Sequence, residues 1–457
     1  MLHRARRPFM PRIPAALFAL FFCMIPSACA QVAPPAAQIS PIAPAGQIST
    51  EQVAQGFPLF EEGVATTILV DPDEDTGILR AVRNLQADLE ARGSVRPEIN
   101  TAIPKHAKNL IIVGSLAKSR WIAELMASGH VTDTGLSGEW EAFAQEVVDR
   151  PFDGVERALV ITGSDKRGTI FGVYDLLDRA GVSPWNWWAD VPIAPVSALY
   201  VAPGRRVEKP EVQYRGIFLN DENPALLDWV NEKFGGFNHA FYERVFELLL
   251  RQKANYLWPA MWGKAFYDDD PMNAVLADEY GIVIGTSHHE PLGRAHVEWE
   301  RYGEGDWNYA TNKDTLQDFW RYGVDRIGKH EAIVTIGMRG DGDEAMAEGT
   351  AIDLLEEIVT DQRKIIEDVT GAPAEETPQL WALYKEVQDY YDKGMDAPGD
   401  VTLLFADDNW GNIRRLPELG SERPGGYGVY YHFDYVGDPR NYKWINTTQI
   451  ERVWEQM

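Results

Sequence analysis

Apolar and polar positions along the chain follow two rhythms. From Phe57 to about residue 200, short apolar runs such as "TTILVD", "KNLIIVGS" and "ERALVITGS" read as buried strands. Between them, apolar residues recur every three or four positions. In "GILRAVRNLQADLEAR", Ile78, Val82, Leu85 and Leu89 fall on one helical face, and "GTIFGVYDLLDRAG" is a helix closed by Gly181. This half predicts an α/β domain over residues 49–205. After Val212 the order becomes strand, polar loop, helix, repeated. The strands are "YRGIFLN", "ANYLWPA", "GIVIGTS", "AIVTIGM", "VTLLFAD" and "YGVYYHF". Helices such as "AFYERVFELLLRQK", with Phe241, Val245, Leu248 and Leu249 on one stripe, and "LQDFWRYGVDRIGK" lie between them. Near-continuous apolar strands alternating with amphipathic helices imply a parallel sheet covered by helices.

The natural closure of such a sheet is a (β/α)8 TIM-type barrel, here over residues 206–457. Six strands fit before Met457, and "TTQIERVWEQM" reads as a helix leading toward a seventh, so the barrel is expected to be truncated after about six strands. Polar residues collect at the C-terminal ends of the strands. They are Asn220, Asp221 and Glu222; Trp262; His288, His289 and Glu290; Arg339 to Glu344; Asp407, Asp408 and Asn409; and Tyr431, His432, Asp434 and Tyr435. In a barrel these ends share one rim, where the chemistry sits.

Three other stretches have plainer readings. "DPDEDTG" at 71–77 resembles a calcium loop, but its Gly is misplaced and Val82 stands where a bidentate Glu belongs, so it is read as a solvated loop. "GSDKRGT" at 163–169 lacks the spacing of a nucleotide motif. "SPWNWWADVP" at 183–192 puts three tryptophans at the boundary between modules, where interdomain packing is expected.

The first 30 residues lie outside the fold on this reading. Basic "MLHRARRPF", apolar "AALFALFFCMI" and small "ACA" form a secretory signal ending at Ala30. The apolar run is shorter than the ~20 residues a membrane span requires. Both cysteines, Cys23 and Cys29, leave with the signal. Acylation at Cys29 would make a lipoprotein instead, although Pro26 occupies a position where such signals carry Leu. A Pro/Ala-rich linker follows at 31–48. The expected location is the periplasm or the exterior of a bacterium. The net charge of −26 becomes −30 without Arg4, Arg6, Arg7 and Arg12, which argues against nucleic-acid and anionic-lipid partners.

The motifs "YRGIFLNDENP", "NYLWPAMW", "GTSHHEP", "IGMRGDGDE", "FADDNWGNIRRLP" and "GGYGVYYHFDYVG" resemble those of glycoside hydrolase family 115, the xylan α-1,2-glucuronidases. The resemblance runs from about Phe57 to Met457. It implies inverting hydrolysis that removes glucuronic acid or its 4-O-methyl ether from glucuronoxylan. It also implies further domains beyond the last strand, and a homodimer for full-length members. Inversion requires an acid and a base about 6.5–9.5 Å apart with a water between them. Glu386, in "WALYKEVQDYY" after the fourth strand, matches the family position proposed as catalytic. Asp343, just past a strand exit, is its chosen partner, with Asp221 and Asp407 as competitors and acid and base left unassigned. Arg339 would hold the substrate carboxylate in its planar fork, or pair with Asp343 four residues on. His289 is expected to donate a hydrogen bond to the sugar. Trp262, Tyr431 and Tyr435 would support sugar rings, and Asn220 and Asn409 would bind hydroxyls. Adjacent histidines rarely point at one ion and this hydrolysis needs no Lewis acid, so neither metal nor cofactor is expected. Two alternatives remain: a hexosaminidase-like glycosidase using "NDE" at 220–222, and an inactive carbohydrate-binding fragment.

Overall fold

The computed structural model describes residues 44–219, 225–347, 351–433 and 450–457. The signal, most of the linker, Asn220, Asp221 and Tyr435 lie outside the described residues. Among the described residues, no helix is long and apolar enough to cross a membrane.

The N-terminal half is built around a six-stranded mixed sheet. Its order is Arg205–Glu208, Phe143–Asp149, Arg157–Gly163, Asn109–Ser115, Thr67–Val70 and Ile99–Asn100. The four strands on the Ile99–Asn100 side run parallel, and the other two are antiparallel additions. Helix α1 (Thr76–Gly93) buries Ile78, Ala81, Val82, Leu85 and Leu89 and stops at Ser94, whose φ of 54° is left-handed. Helix α2 (Lys166–Arg179) starts at Asp165, whose carboxylate accepts from Gly168 N–H at 2.8 Å. The start of "GSDKRGT" is thus capped by the protein's own anion. In "DPDEDTG", Asp71 accepts from the backbone N–H of Asp73 and Arg120, and Glu74 accepts from Ser115.

The second half contains a run of parallel strands, numbered here β1 (Gly216–Phe218), β2 (Tyr256–Trp258), β3 (Val283–Ile284), β4 (Val334–Ile336), β5 (Gln379–Leu383), β6 (Thr402–Ala406) and β7 (Tyr427–Tyr430). Ladders join β1 to β3 and β4 to β7, and the parallel bridge Ile284–Ala332 links the two groups. Seven strands therefore stand where the apolar pattern predicts six. The additional strand is β5, "QLWAL", all five residues of which are buried. It runs into "YKEVQDYY" without a glycine or proline, so its apolar run merges with the following helix, Glu386–Asp392. Glu386 accordingly follows the fifth strand rather than the fourth.

One face of this sheet carries a small apolar cluster of its own. Trp258, Val283, Ile333, Leu380 and Ala382 form a cluster completed by Phe218, Leu404 and Tyr430. The rings of Phe218 in the first strand and Tyr430 in the last stand 6.1 Å apart. The other face packs into a larger core that runs continuously from Phe57 to Phe405, so both halves of the chain share it. Polar ties reinforce the shared core. Arg251, on helix α3 (His239–Arg251), donates to Asp88 at 2.8 Å, and Arg167 donates to Glu331 at 2.7 Å. Of the three boundary tryptophans, Trp188 packs against the core, Trp187 meets Trp188, Trp229 and Phe234 with one side of its ring while staying 41% exposed, and Trp185 is 45% exposed.

Candidate functional site

The loop after β4 turns sharply at Gly337, whose φ is 97° and whose Cα lies against the Trp381 indole, so a side chain there would collide with it. The turn delivers Arg339, which is 3% exposed. Its backbone carbonyl accepts from Trp307 Nε1–H at 2.9 Å. Its guanidinium makes a two-pronged contact with Glu386, Nε to Oε1 and Nη2 to Oε2, each at 2.8 Å. Nη1 donates to both the carboxylate and the backbone carbonyl of Asp343. Arg339, Asp343 and Glu386 thus meet at one point, with one planar cation lying between two carboxylates. The expected salt bridge to Asp343 is formed, and the fork read as a clamp for the substrate is engaged by protein carboxylates.

Two residues that sequence reasoning did not assign complete the cluster. His288 Nε2 lies 2.8 Å from Asp343 Oδ1, and Lys385 Nζ lies 3.4 Å from Asp343 Oδ2. Burial, with Arg339 and Lys385 nearby, holds the His288 imidazole neutral by pushing its pKa down to about 3. A neutral ring facing a carboxylate donates from Nε2, which leaves Nδ1 as an acceptor without a protein partner among the described residues. His289, 2% exposed, is likewise pushed down to about 2 by burial and by His288 and His296. Neither of its ring nitrogens has a hydrogen-bond partner among the described residues. Its ring stands 5.0 Å from that of Trp262, which is 43% exposed and offers an open apolar face beside it.

The ends of β6 and β7 form a second group. Asp407 is buried and accepts from His432 Nδ1 and from the backbone N–H of Asn409, Gly411 and His432. These bonds fix the imidazole and fold the "DDNWG" turn around one carboxylate. Asn409 accepts from the Tyr384 hydroxyl at 3.2 Å, and the Tyr384 ring lies 4.5 Å from that of His288, which connects the two groups. Tyr431 lies against Gly411 with its ring 5.1 Å from Phe433. Its neighbours are thus the turn and Phe433. Asp343, Lys385 and Asn409 all have positive φ, at 67°, 50° and 67°. Left-handed backbone at non-glycine residues costs about 1–2 kcal/mol each, and such strain gathers where function fixes side-chain direction.

The C-terminal ends of parallel strands thus bring two carboxylates, a cation and neutral histidines together. The chain belongs to glycoside hydrolase family 115: the model of "Glycosyl hydrolase family 115" matches residues 207–457, more than half of its length. It is similar to the solved structure of BtGH115A, a family GH115 4-O-methyl-α-glucuronidase with specificity for decorated arabinogalactans. The two are 32% identical with a TM-score of 0.75, over 86% of this chain and 52% of that one. A Flavobacterium johnsoniae chitobiase is 12% identical with a TM-score of 0.46, over 84% of this chain and 64% of that one. A Streptomyces plicatus β-hexosaminidase in complex with its product is 11% identical with a TM-score of 0.46, over 79% and 67%. Neither resemblance is close enough to carry an argument. No curated protein matches the chain.

Proposed function

We propose that the seven parallel strands are part of a (β/α)8 barrel whose rim removes (4-O-methyl-)glucuronic acid from a polysaccharide by inverting hydrolysis. The observation that carries this reading is the Glu386–Arg339–Asp343 cluster in a family 115 chain. One carboxyl protonates the oxygen leaving from the main-chain sugar. The other takes a proton from the water that attacks C1, so the C1–O bond breaks and the α-linked sugar departs as the β-anomer. Arg339 holds both carboxylates in place and supplies a positive charge to a site that must accept a uronate. His288 and His289, both neutral, offer acceptors and donors to sugar hydroxyls, and Trp262 offers an apolar face to a ring. Asp407 positions His432 in the same way.

The proposed main chain is xylan with an α-1,2 linkage. The arabinogalactan specificity of BtGH115A makes arabinogalactan the direct comparison. We also propose export through cleavage after Ala30, a domain boundary near residue 205, and homodimerisation of the full-length protein. The test is release of methylglucuronic acid from glucuronoxylan and from glucuronate-bearing arabinogalactan, by this chain and by a longer polypeptide that spans the family's full length. NMR of the first product checks the anomer. Release of a uronic acid as the β-anomer is the expected result. No release from either polymer by either protein would remove the reading.

A further inference from the structure

The motif "SPWNWW" is only partly accounted for by packing. Trp188 is the anchor: its Nε1–H donates to the Arg244 carbonyl at 3.3 Å, and its ring lies 5.7 Å from Trp229 and 6.4 Å from Phe241. The turn is held by Ser183 Oγ accepting from Trp185 N–H at 3.2 Å and by Trp185 O accepting from Ala189 N–H at 2.9 Å. On this fixed base Trp185 and Trp187 remain 45% and 41% exposed. The Arg244 guanidinium, carried on α3, lies 5.1 Å over the Trp187 ring. Among the described residues its nearest carboxylate is Glu247 at 3.8 Å, beyond hydrogen-bond reach, and Glu247 is already taken by Arg251 at 2.9 Å.

We propose that Trp185, Trp187 and Arg244 form a second glycan-binding site, apart from the strand-end cluster, that takes a uronate-bearing stretch of polysaccharide. Half-exposed indoles on a fixed turn, with Trp187 set edge-on against Trp188 at 4.9 Å, offer apolar ring surface to the C–H side of pyranose rings at little entropic cost. A guanidinium placed over one indole, with no hydrogen bond from its N–H groups among the described residues, supplies the fork for a carboxylate. The complementarity is specific because the chain carries a net charge of −26, so a half-exposed cation held only by a long 3.8 Å ion pair to Glu247 beside apolar surface marks a local preference for an anion. A uronate-bearing polymer satisfies both features at once. This inference rests on the glycan-directed reading of the strand-end site.

The test is electrophoresis of the full chain through gels containing glucuronoxylan, or the same polymer with its carboxyl groups reduced to alcohols. Retardation by glucuronoxylan is expected to weaken about tenfold in Trp187→Ala and in Arg244→Gln, and severalfold on the carboxyl-reduced polymer. Trp185→Ala, at an exposed position, serves as a second variant, and matched thermal unfolding confirms that each is folded. Hydrolysis of a soluble aldouronic acid by the parent chain is recorded separately, so failure of the catalytic reading leaves the binding result standing. Equal retardation of parent and variants, or retardation indifferent to carboxyl reduction, would overturn the proposal. So would concentration-dependent dimers, seen by light scattering, that Trp187→Ala abolishes, because the face would then meet a second copy.

Discussion

Replacing Arg339 by methionine tests the central cluster most directly. The side chain is 3% exposed, and its charge faces two carboxylates that are themselves only 18% and 17% exposed. Glu386 would lose both of its hydrogen bonds to Arg339, whereas Asp343 would keep His288 and Lys385. Removing one partner of a buried ion pair costs about 3–5 kcal/mol, and the partial exposure of the carboxylates places this case near the lower end, ~3 kcal/mol. Arg339→Lys retains the charge but cannot span both Glu386 oxygens, so it should cost about 1–2 kcal/mol. Urea unfolding at neutral pH measures both. The double variant Arg339→Met/Glu386→Gln should be more stable than Arg339→Met alone, because the stranded charge is gone. An Arg339→Met chain within about 0.5 kcal/mol of the parent, or a double variant no better than the single, would refute the argument that the guanidinium holds the site together.

Three further outcomes follow from particular residues. His289 has a folded pKa pushed down to about 2, against an ordinary value near 6.5, so the unfolded chain takes up a proton that the folded chain refuses. Its contribution is complete above about pH 6.5 and is lost as the pH falls toward 2. His289→Gln should therefore flatten the stability profile between pH 6 and 4 by about 1.4 kcal/mol per unit, and an unchanged slope in urea titrations would count against it. Gly337→Ala should destabilise by more than about 1 kcal/mol, since it combines a φ of 97° with a Cβ placed 2.6 Å from Trp381 Nε1; thermal denaturation reads the loss. Trp381→Ala, in the strand the apolar pattern did not separate, should cost about 3–5 kcal/mol by the same assay, and a cost below about 1 would mean that β5 contributes little to the core.

Much of the fold is legible in the sequence because it follows from local periodicity. The face of Ile78, Val82, Leu85 and Leu89 is buried as the spacing requires, and six of the seven parallel strands coincide with the apolar runs. β5 escaped because "PQLWALYKEVQDYY" passes from strand to helix without a turn residue, and period alone does not divide such a run. The boundary tryptophans show the same limit. Composition suggests burial for all three, but only the geometry of α3 decides that Trp188 is covered and Trp187 is capped by Arg244.

The sequence by itself determined the α/β character, the family resemblance and the presence of carboxylates, an arginine and histidines at strand exits, since each of these depends on residues near one another in the chain. The tertiary structure decided which of them meet. Arg339 finds Glu386 47 positions away, and His288 finds Asp343 55 positions away. Such encounters are set by the parallel register of β3, β4 and β5, which aligns loops that the chain keeps far apart. An arginine that the sequence offers equally to a substrate or to its own neighbour is committed to two protein carboxylates only after the sheet has formed.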